Sequence, residues 1–187
     1  MCSDSSALSI LNRRWPATEI WDPETETFTL LNAKHQIPRT YHSVAVLLPD
    51  ARVFTGGGGL CGKCSVNHLD AEIFNPPYLF NADGTAAPRP NITLSAQTVA
   101  NGGTVTVTAS EQLMMVSMVR MGGATHSTNT DQRRLELCGP YTAPCSASPI
   151  AVTVSADPGI ALPGNWMVFG VNAMGTPSVA EILLVGV

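Results

Sequence analysis

Four histidines, His35, His42, His68 and His126, are the side chains whose type suits metal binding or proton transfer near neutral pH. Two of them stand in marked settings. His42 follows Tyr41 directly, within Arg39-Thr40-Tyr41-His42-Ser43. His126 follows Gly122-Gly123 within Ala124-Thr125-His126-Ser127 and precedes Asn129-Thr130-Asp131-Gln132-Arg133-Arg134. From spacing alone two readings stay open: hydrogen-bonded structural histidines, or ligands of one ion. Neighbouring side chains on a regular strand point to opposite faces. Tyr41 and His42 can therefore meet one ion only where the strand is just starting and the backbone turns. Pro38, just upstream, makes a strand start there reasonable.

The five cysteines are Cys2, Cys61, Cys64, Cys138 and Cys145. Four fall into close pairs, in LCGKCS and LCGPYTAPC. Such pairs in Gly- and Pro-rich loops suit local disulfides, and disulfides suit an extracellular protein. A four-cysteine zinc site is the weaker alternative, because the two spacings differ and the pairs lie far apart. Cys2 is left over. Asn91-Ile92-Thr93 is a glycosylation acceptor if the chain is exported. The N-terminal stretch does not have the order of a signal peptide: its charges follow the short apolar patch at 7–11.

Composition narrows the partners. The net charge is −4 and only 13% of residues are charged, so no basic face awaits nucleic acid and none anchors to a membrane surface. No run approaches the roughly 18 apolar residues of a membrane helix. Apolar residues make up 44% of the chain, enough for a folded core. Abundant Val, Thr, Gly and Pro with few Lys read as all-β.

Short strands separated by turns carry these residues. In the first half they are expected at 18–21, 27–31, 41–48, 52–55 and 71–74. The segments ATEIWDPETETFTLL and DAEIFNPPYLFNADG share an acid-Ile-aromatic core followed by a proline turn. They stand about 50 residues apart, with a Gly-Gly hairpin between them, which is the period of kelch propeller blades. A blade packs on its neighbours, so one or two blades imply more upstream. Gly56, Gly57, Gly58 and Gly59 do not form a phosphate loop, since no Lys-Ser/Thr follows. TAAPRP at 85–90 breaks the periodicity. Beyond it strands are expected at 91–94, 104–108, 115–121, 133–137, 151–155, 166–172 and 180–185, the rhythm of an immunoglobulin-like sandwich. The expected organisation is thus a terminal propeller-blade region over 1–86 and a sandwich over 87–187.

Three runs resemble one known family. RTYHSVAVLLPDARVFTGGGGLCGKCSVNHLDAEIFNPPYL, GGATHSTNTDQRR and DPGIALPGNWMVFGVNAMGTPSVA resemble, in that order, segments of galactose oxidase-type copper radical oxidases. The resemblance runs from about Thr18 to the end of the chain. It implies the end of a kelch propeller followed by an early-set, immunoglobulin-like sandwich. It also implies that Tyr41, His42 and His126 are copper ligands, with Tyr41 axial and catalytic. Imidazole and phenolate are suitable donors for tetragonal copper. Cys61 and Cys64 resemble the family's short-range disulfide, and Asn67-His68-Leu69-Asp70 a segment that orders the Gly-rich loop. Cys138 and Cys145 have no counterpart and read as a clip on a hairpin loop.

The family's reaction takes a primary alcohol, galactose or a related one, to an aldehyde while dioxygen becomes hydrogen peroxide. Tyr41 would accept the alcohol proton as general base. A second tyrosine, cross-linked to a cysteine, would take the hydrogen atom as a radical, a cofactor the protein builds itself. That cysteine and tyrosine belong to earlier blades, and neither Tyr78 nor Tyr141 stands in their motif. The resemblance therefore implies a C-terminal portion of a secreted enzyme, inactive by itself. The alternative is a non-catalytic sandwich module that binds carbohydrate or protein. A structural copper or zinc domain without redox chemistry is a third reading. Met114, Met115, Met118 and Met121 read as strand core and edge, and Asp131 with Arg133 and Arg134 as a structural ion-pair cluster.

Overall fold

A computed structural model describes residues 17–37, 39, 41–59, 67–126 and 128–186. Cys2, the apolar patch at 7–11, Pro38 and the pair Cys61 and Cys64 lie outside the described residues. The described residues are all-β apart from one 3₁₀ turn, Pro77–Leu79. Its strands are β1 (Ala17–Asp22), β2 (Thr27–Lys34), β3 (Val44–Leu47), β4 (Val53–Gly56), β5 (Ala71–Phe74), β6 (Ile92–Leu94), β7 (Thr98–Val99), β8 (Thr104–Ala109), β9 (Leu113–Arg120), β10 (Ala124–Thr125), β11 (Thr128–Asn129), β12 (Arg134–Cys138), β13 (Ile150–Thr153), β14 (Gly164–Asn172) and β15 (Glu181–Val185). Two compact units emerge. The first comprises Met1–Ala45, Phe54–Ile73 and Thr125–Thr128; the second takes Val46–Val53, Phe74–Ala124 and Asn129–Val187.

In the first unit β1 and β2 form an antiparallel hairpin. Its turn is built on Asp22, whose carboxylate accepts the Glu24 N–H at 2.9 Å and the Thr25 hydroxyl at 3.0 Å. Asp favours turns because its side chain satisfies the backbone two residues on. Trp21 and Phe28 pair across the strands, ring centroids 4.8 Å apart. The strands β3, β4 and β5 hydrogen-bond in that order. The sequence predicts the strand at 41–48, but β3 begins only at Val44, because Tyr41 and His42 form a turn.

The second unit is a sandwich of two sheets. One has the order β12-β9-β14-β15-β7, the other β13-β8-β6. Period-2 alternation puts Val105 and Val107 of β8, Ile150 and Val152 of β13, and Val116 and Met118 of β9 into one core. Trp166, Val168, Leu183 and Val185 complete it, each fully buried. The Trp166 indole N–H is satisfied by the Leu162 carbonyl at 2.9 Å, as a buried indole requires. The opposite face of β14 is buried as well. Met167 and Phe169 pack with Ala51 and Leu79 in a second cluster. That is why the run Trp166-Met167-Val168-Phe169 is apolar without alternation. Cys138 and Cys145 form a disulfide that closes the loop after β12. No described helix is long and apolar enough to cross a membrane.

Candidate metal centre

Tyr41, His42 and His126 come together in the first unit. The Tyr41 and His42 ring centroids lie 3.8 Å apart, His42 and His126 4.4 Å, and Tyr41 and His126 5.2 Å. The rings of His126 stand edge-on to both partners, at 68° and 69°. The three side chains thus bring one phenol and two imidazoles to one spot, from positions far apart in the chain.

The backbone explains how adjacent residues share a side. His42 has φ +65°, in the left-handed region. The reversal at His42 breaks the strand alternation that would send Tyr41 and His42 to opposite faces. His126 has φ +52° and is the first loop residue of the hairpin β10–β11. A left-handed first loop residue belongs to the primed turns, whose twist fits antiparallel strands. Gly, Asn or Asp usually fills that position. Among the described residues only four other than glycine have positive φ, and two of them are these histidines. Backbone strain at non-glycine residues concentrates at functional sites, where it costs about 1–3 kcal/mol each.

A strap of glycines supports the turn from behind. The Gly59 N–H donates to the Tyr41 carbonyl at 2.9 Å. Gly57, at φ +70°, passes so close that a Cβ there would lie 3.1 Å from the His42 carbonyl oxygen. The strap is held in turn by 67–70: the His68 N–H donates to the Gly58 carbonyl at 3.0 Å, and the Gly57 N–H to the Asp70 carbonyl at 3.4 Å. The expected ordering of the Gly-rich loop by Asn67-His68-Leu69-Asp70 has this physical form.

The donor set fits a copper ion. Thr125 Oγ1 and His126 Nδ1 are 2.7 Å apart. With the proton on Nδ1, that nitrogen donates to Thr125 and Nε2 keeps its lone pair for a metal. Among the described residues no three His, Cys, Asp or Glu side chains gather as a metal site. The third group beside the two imidazoles is a phenol, that of Tyr41, a residue 52% exposed.

The remaining titratable side chains go elsewhere. His35 Nδ1 faces Glu72 at 3.4 Å. Tyr78 donates its hydroxyl to the Ala51 carbonyl at 2.6 Å, and Tyr141 is exposed. Met118 is core, whereas Met114 and Met121 are exposed. Asp131 pairs with Arg120 at 3.6 Å rather than with Arg133 or Arg134. Arg133 instead donates to the carbonyls of Gly159 and Ile160, and Arg134 faces Glu136. Sequence reasoning missed Thr125; the only signal was its proximity in sequence to His126.

Comparison with known proteins places the chain in a family. Residues 89–185 match the galactose oxidase-like, early set domain. A galactose oxidase of Gibberella zeae is 48% identical over 168 residues, covering 89% of this chain and 24% of that protein. An aldehyde oxidase of Vitis pseudoreticulata is 38% identical over 157 residues, 78% of this chain and 29% of the relative. A fungal alcohol oxidase of the AA5 family, solved in complex with copper, superposes with a TM-score of 0.82 at 41% identity, over 92% of this chain and 36% of its own. The chain therefore spans about a quarter of the length of the curated relatives it matches. With its early-set match covering just over half the chain, this protein belongs to the galactose oxidase-like early set family.

Proposed function

We propose that this chain is the C-terminal portion of a copper radical oxidase that converts a primary alcohol, galactose or a related one, to an aldehyde while dioxygen becomes hydrogen peroxide. The observation that carries this reading is the convergence of the Tyr41, His42 and His126 rings within 5.2 Å of one another. Tyr41, His42 and His126 would hold the copper. Bound there, the ion supplies a one-electron couple and a Lewis acid for the alcohol oxygen.

The chain's own residues have defined parts. The exposed phenol of Tyr41 takes the alcohol proton. His42 and His126 give their ring nitrogens, and a hydrogen bond between Thr125 and His126 Nδ1 holds that ring in place. The second half of the chemistry, a tyrosine cross-linked to cysteine, belongs to the rest of a longer parent, so the 187-residue chain alone is inactive. Exposed apolar residues on β1 and β2 favour further propeller blades beside them. Ile20, Trp21, Phe28 and Leu30 are 37%, 45%, 66% and 65% exposed, and blades cover such faces. The domain division is a kelch-type region over 1–86 and a sandwich over 87–187. Secretion of the parent agrees with the Cys138–Cys145 disulfide and with the exposed acceptor Asn91.

Copper loading tests the reading. The wild-type chain is expected to retain one copper after gel filtration, and His126→Ala and His42→Ala to lose it. Equal copper content in all three would remove the ligand assignment.

A further inference from the structure

The turn that presents Tyr41 and His42 is anchored by a buried arginine two residues upstream. The Arg39 side chain is 7% exposed. Its Nη1 donates to the Gly57 carbonyl at 2.9 Å, to the Asp70 carboxylate at 2.6 Å and to the Asp70 carbonyl at 3.2 Å. Its Nη2 donates to the Glu72 carboxylate at 3.2 Å. Glu72 is itself fixed, since its other oxygen accepts the Gln36 N–H at 3.0 Å. All these groups lie in the same unit as Tyr41 and His42.

The contacts close a ring. Arg39 grips the Gly57 carbonyl; two residues on, the Gly59 N–H grips the Tyr41 carbonyl at 2.9 Å; and Tyr41 returns to Arg39 along the backbone. Gly57 meanwhile abuts the His42 carbonyl. One side chain thus ties the glycine strap to the turn it supports. Only a planar fork reaches acceptors on both sides at once; lysine offers a single point charge.

We propose that Arg39 is a positioning residue for the copper-holding turn: its fork fixes the glycine strap behind Tyr41 and His42 and so sets where the phenol and the imidazole stand. This rests on the copper reading above. Charge and geometry make opposite predictions for its removal. A buried cation near a cupric site repels the ion, and removing it would bare the Asp70 and Glu72 carboxylates. On charge alone, Arg39→Gln would bind copper more tightly. If Arg39 positions the turn, both Arg39→Gln and the charge-preserving Arg39→Lys bind it more weakly.

The test is copper affinity of the 187-residue chain by competition with a chelator, together with Cu(II) electron paramagnetic resonance. Arg39→Lys and Arg39→Gln are expected to bind about 10–100-fold more weakly and to show altered copper hyperfine coupling. Circular dichroism checks their fold. Should Arg39→Gln fail to fold, Asp70→Asn, which removes the 2.6 Å partner, is expected to show the same loss. Affinities and spectra that match the wild type in the folded variants overturn the proposal, and so does tighter binding by Arg39→Gln. A wild-type chain whose copper binding is unaffected by His126→Ala, or absent, instead overturns the copper reading itself and this inference with it.

Discussion

The two units divide the work of folding and of chemistry unequally. The second hides Trp166, Val168, Leu183, Val185, Val107 and Val116 at 0% exposure between two sheets. The first carries Tyr41, His42 and His126, yet its strand β2 is exposed at seven of eight positions. Its order comes instead from directed polar contacts: Asp22 in a hairpin turn, Arg39 on two carboxylates, glycine N–H groups on carbonyls. Hydrophobic burial is undirected and scales with area. Hydrogen bonds fix angles and distances while adding little net stability. A core can therefore make a scaffold, but a metal site needs the second kind of contact.

The largest test of this contrast is a pair of tryptophans. Trp166→Ala empties a fully buried site and is expected to cost about 3–5 kcal/mol. Trp21 is 45% exposed, with Phe28 as its main partner. Trp21→Ala is expected to cost only about 1 kcal/mol, the worth of such an aromatic pair. Urea unfolding followed by circular dichroism measures both, and equal costs would erase the distinction between the units.

Next in size is the disulfide of the second unit. Cys138 and Cys145 close a loop of sequence separation 7. Replacing both with serine is expected to cost about 2.5 kcal/mol by loop entropy. The copper affinity of the first unit should not change. A parallel loss of copper binding would show that the site draws on the sandwich's stability.

Two glycines then separate strain from position. Gly57 and Gly84 both have positive φ, +70° and +84°. Each alanine substitution should cost about 1–2 kcal/mol for the left-handed backbone. At Gly84 a Cβ meets nothing within 4 Å, whereas at Gly57 it meets the His42 carbonyl at 3.1 Å. Only Gly57→Ala should therefore weaken copper binding, by about tenfold or more. Isothermal titration of both variants reads this directly; equal affinities would mean that the strap does not position the turn.

How far the sequence revealed all this follows the same division. The sandwich strands were readable from composition and alternation, because burial writes itself into side-chain type. Even β14, apolar on both faces, falls where the rhythm of strands and turns predicts a strand at 166–172. The two-residue strands β7, β10 and β11 were missed, since two residues carry no period. The first unit was less legible. The sequence predicted strand through 41–43, where Tyr41 and His42 turn instead. Nothing in His42 itself specifies φ +65°; the glycines at 57–59 and Arg39 impose it from outside. Tyr41, His42 and His126 were singled out together only through family resemblance. Spacing alone left the histidines undecided between structure and chemistry.

The smallest effect concerns two carboxylates, one in each unit. Asp50 lies below its ordinary value chiefly because the Arg52 side chain hydrogen-bonds to it, at 2.7 Å. For Glu72 burial pushes the carboxyl up, but the Gln36 N–H, His35 and Arg39 outweigh it and hold it below its ordinary 4.5. A carboxyl with a depressed pKa binds its proton less readily folded than unfolded. Its stabilisation is complete above the unfolded value and disappears as pH falls through the folded one. The partner of Asp50 is two residues away, and such a pair persists partly in the unfolded chain, which shrinks the difference. The partners of Glu72 lie 33–37 residues away and assemble only on folding. Between pH 6 and pH 3.5 the urea midpoint of the wild type should therefore fall further than that of Glu72→Gln, while Asp50→Asn should track the wild type closely. The reverse order would place the pH-sensitive contacts in the sandwich unit and not around the arginine that supports Tyr41 and His42.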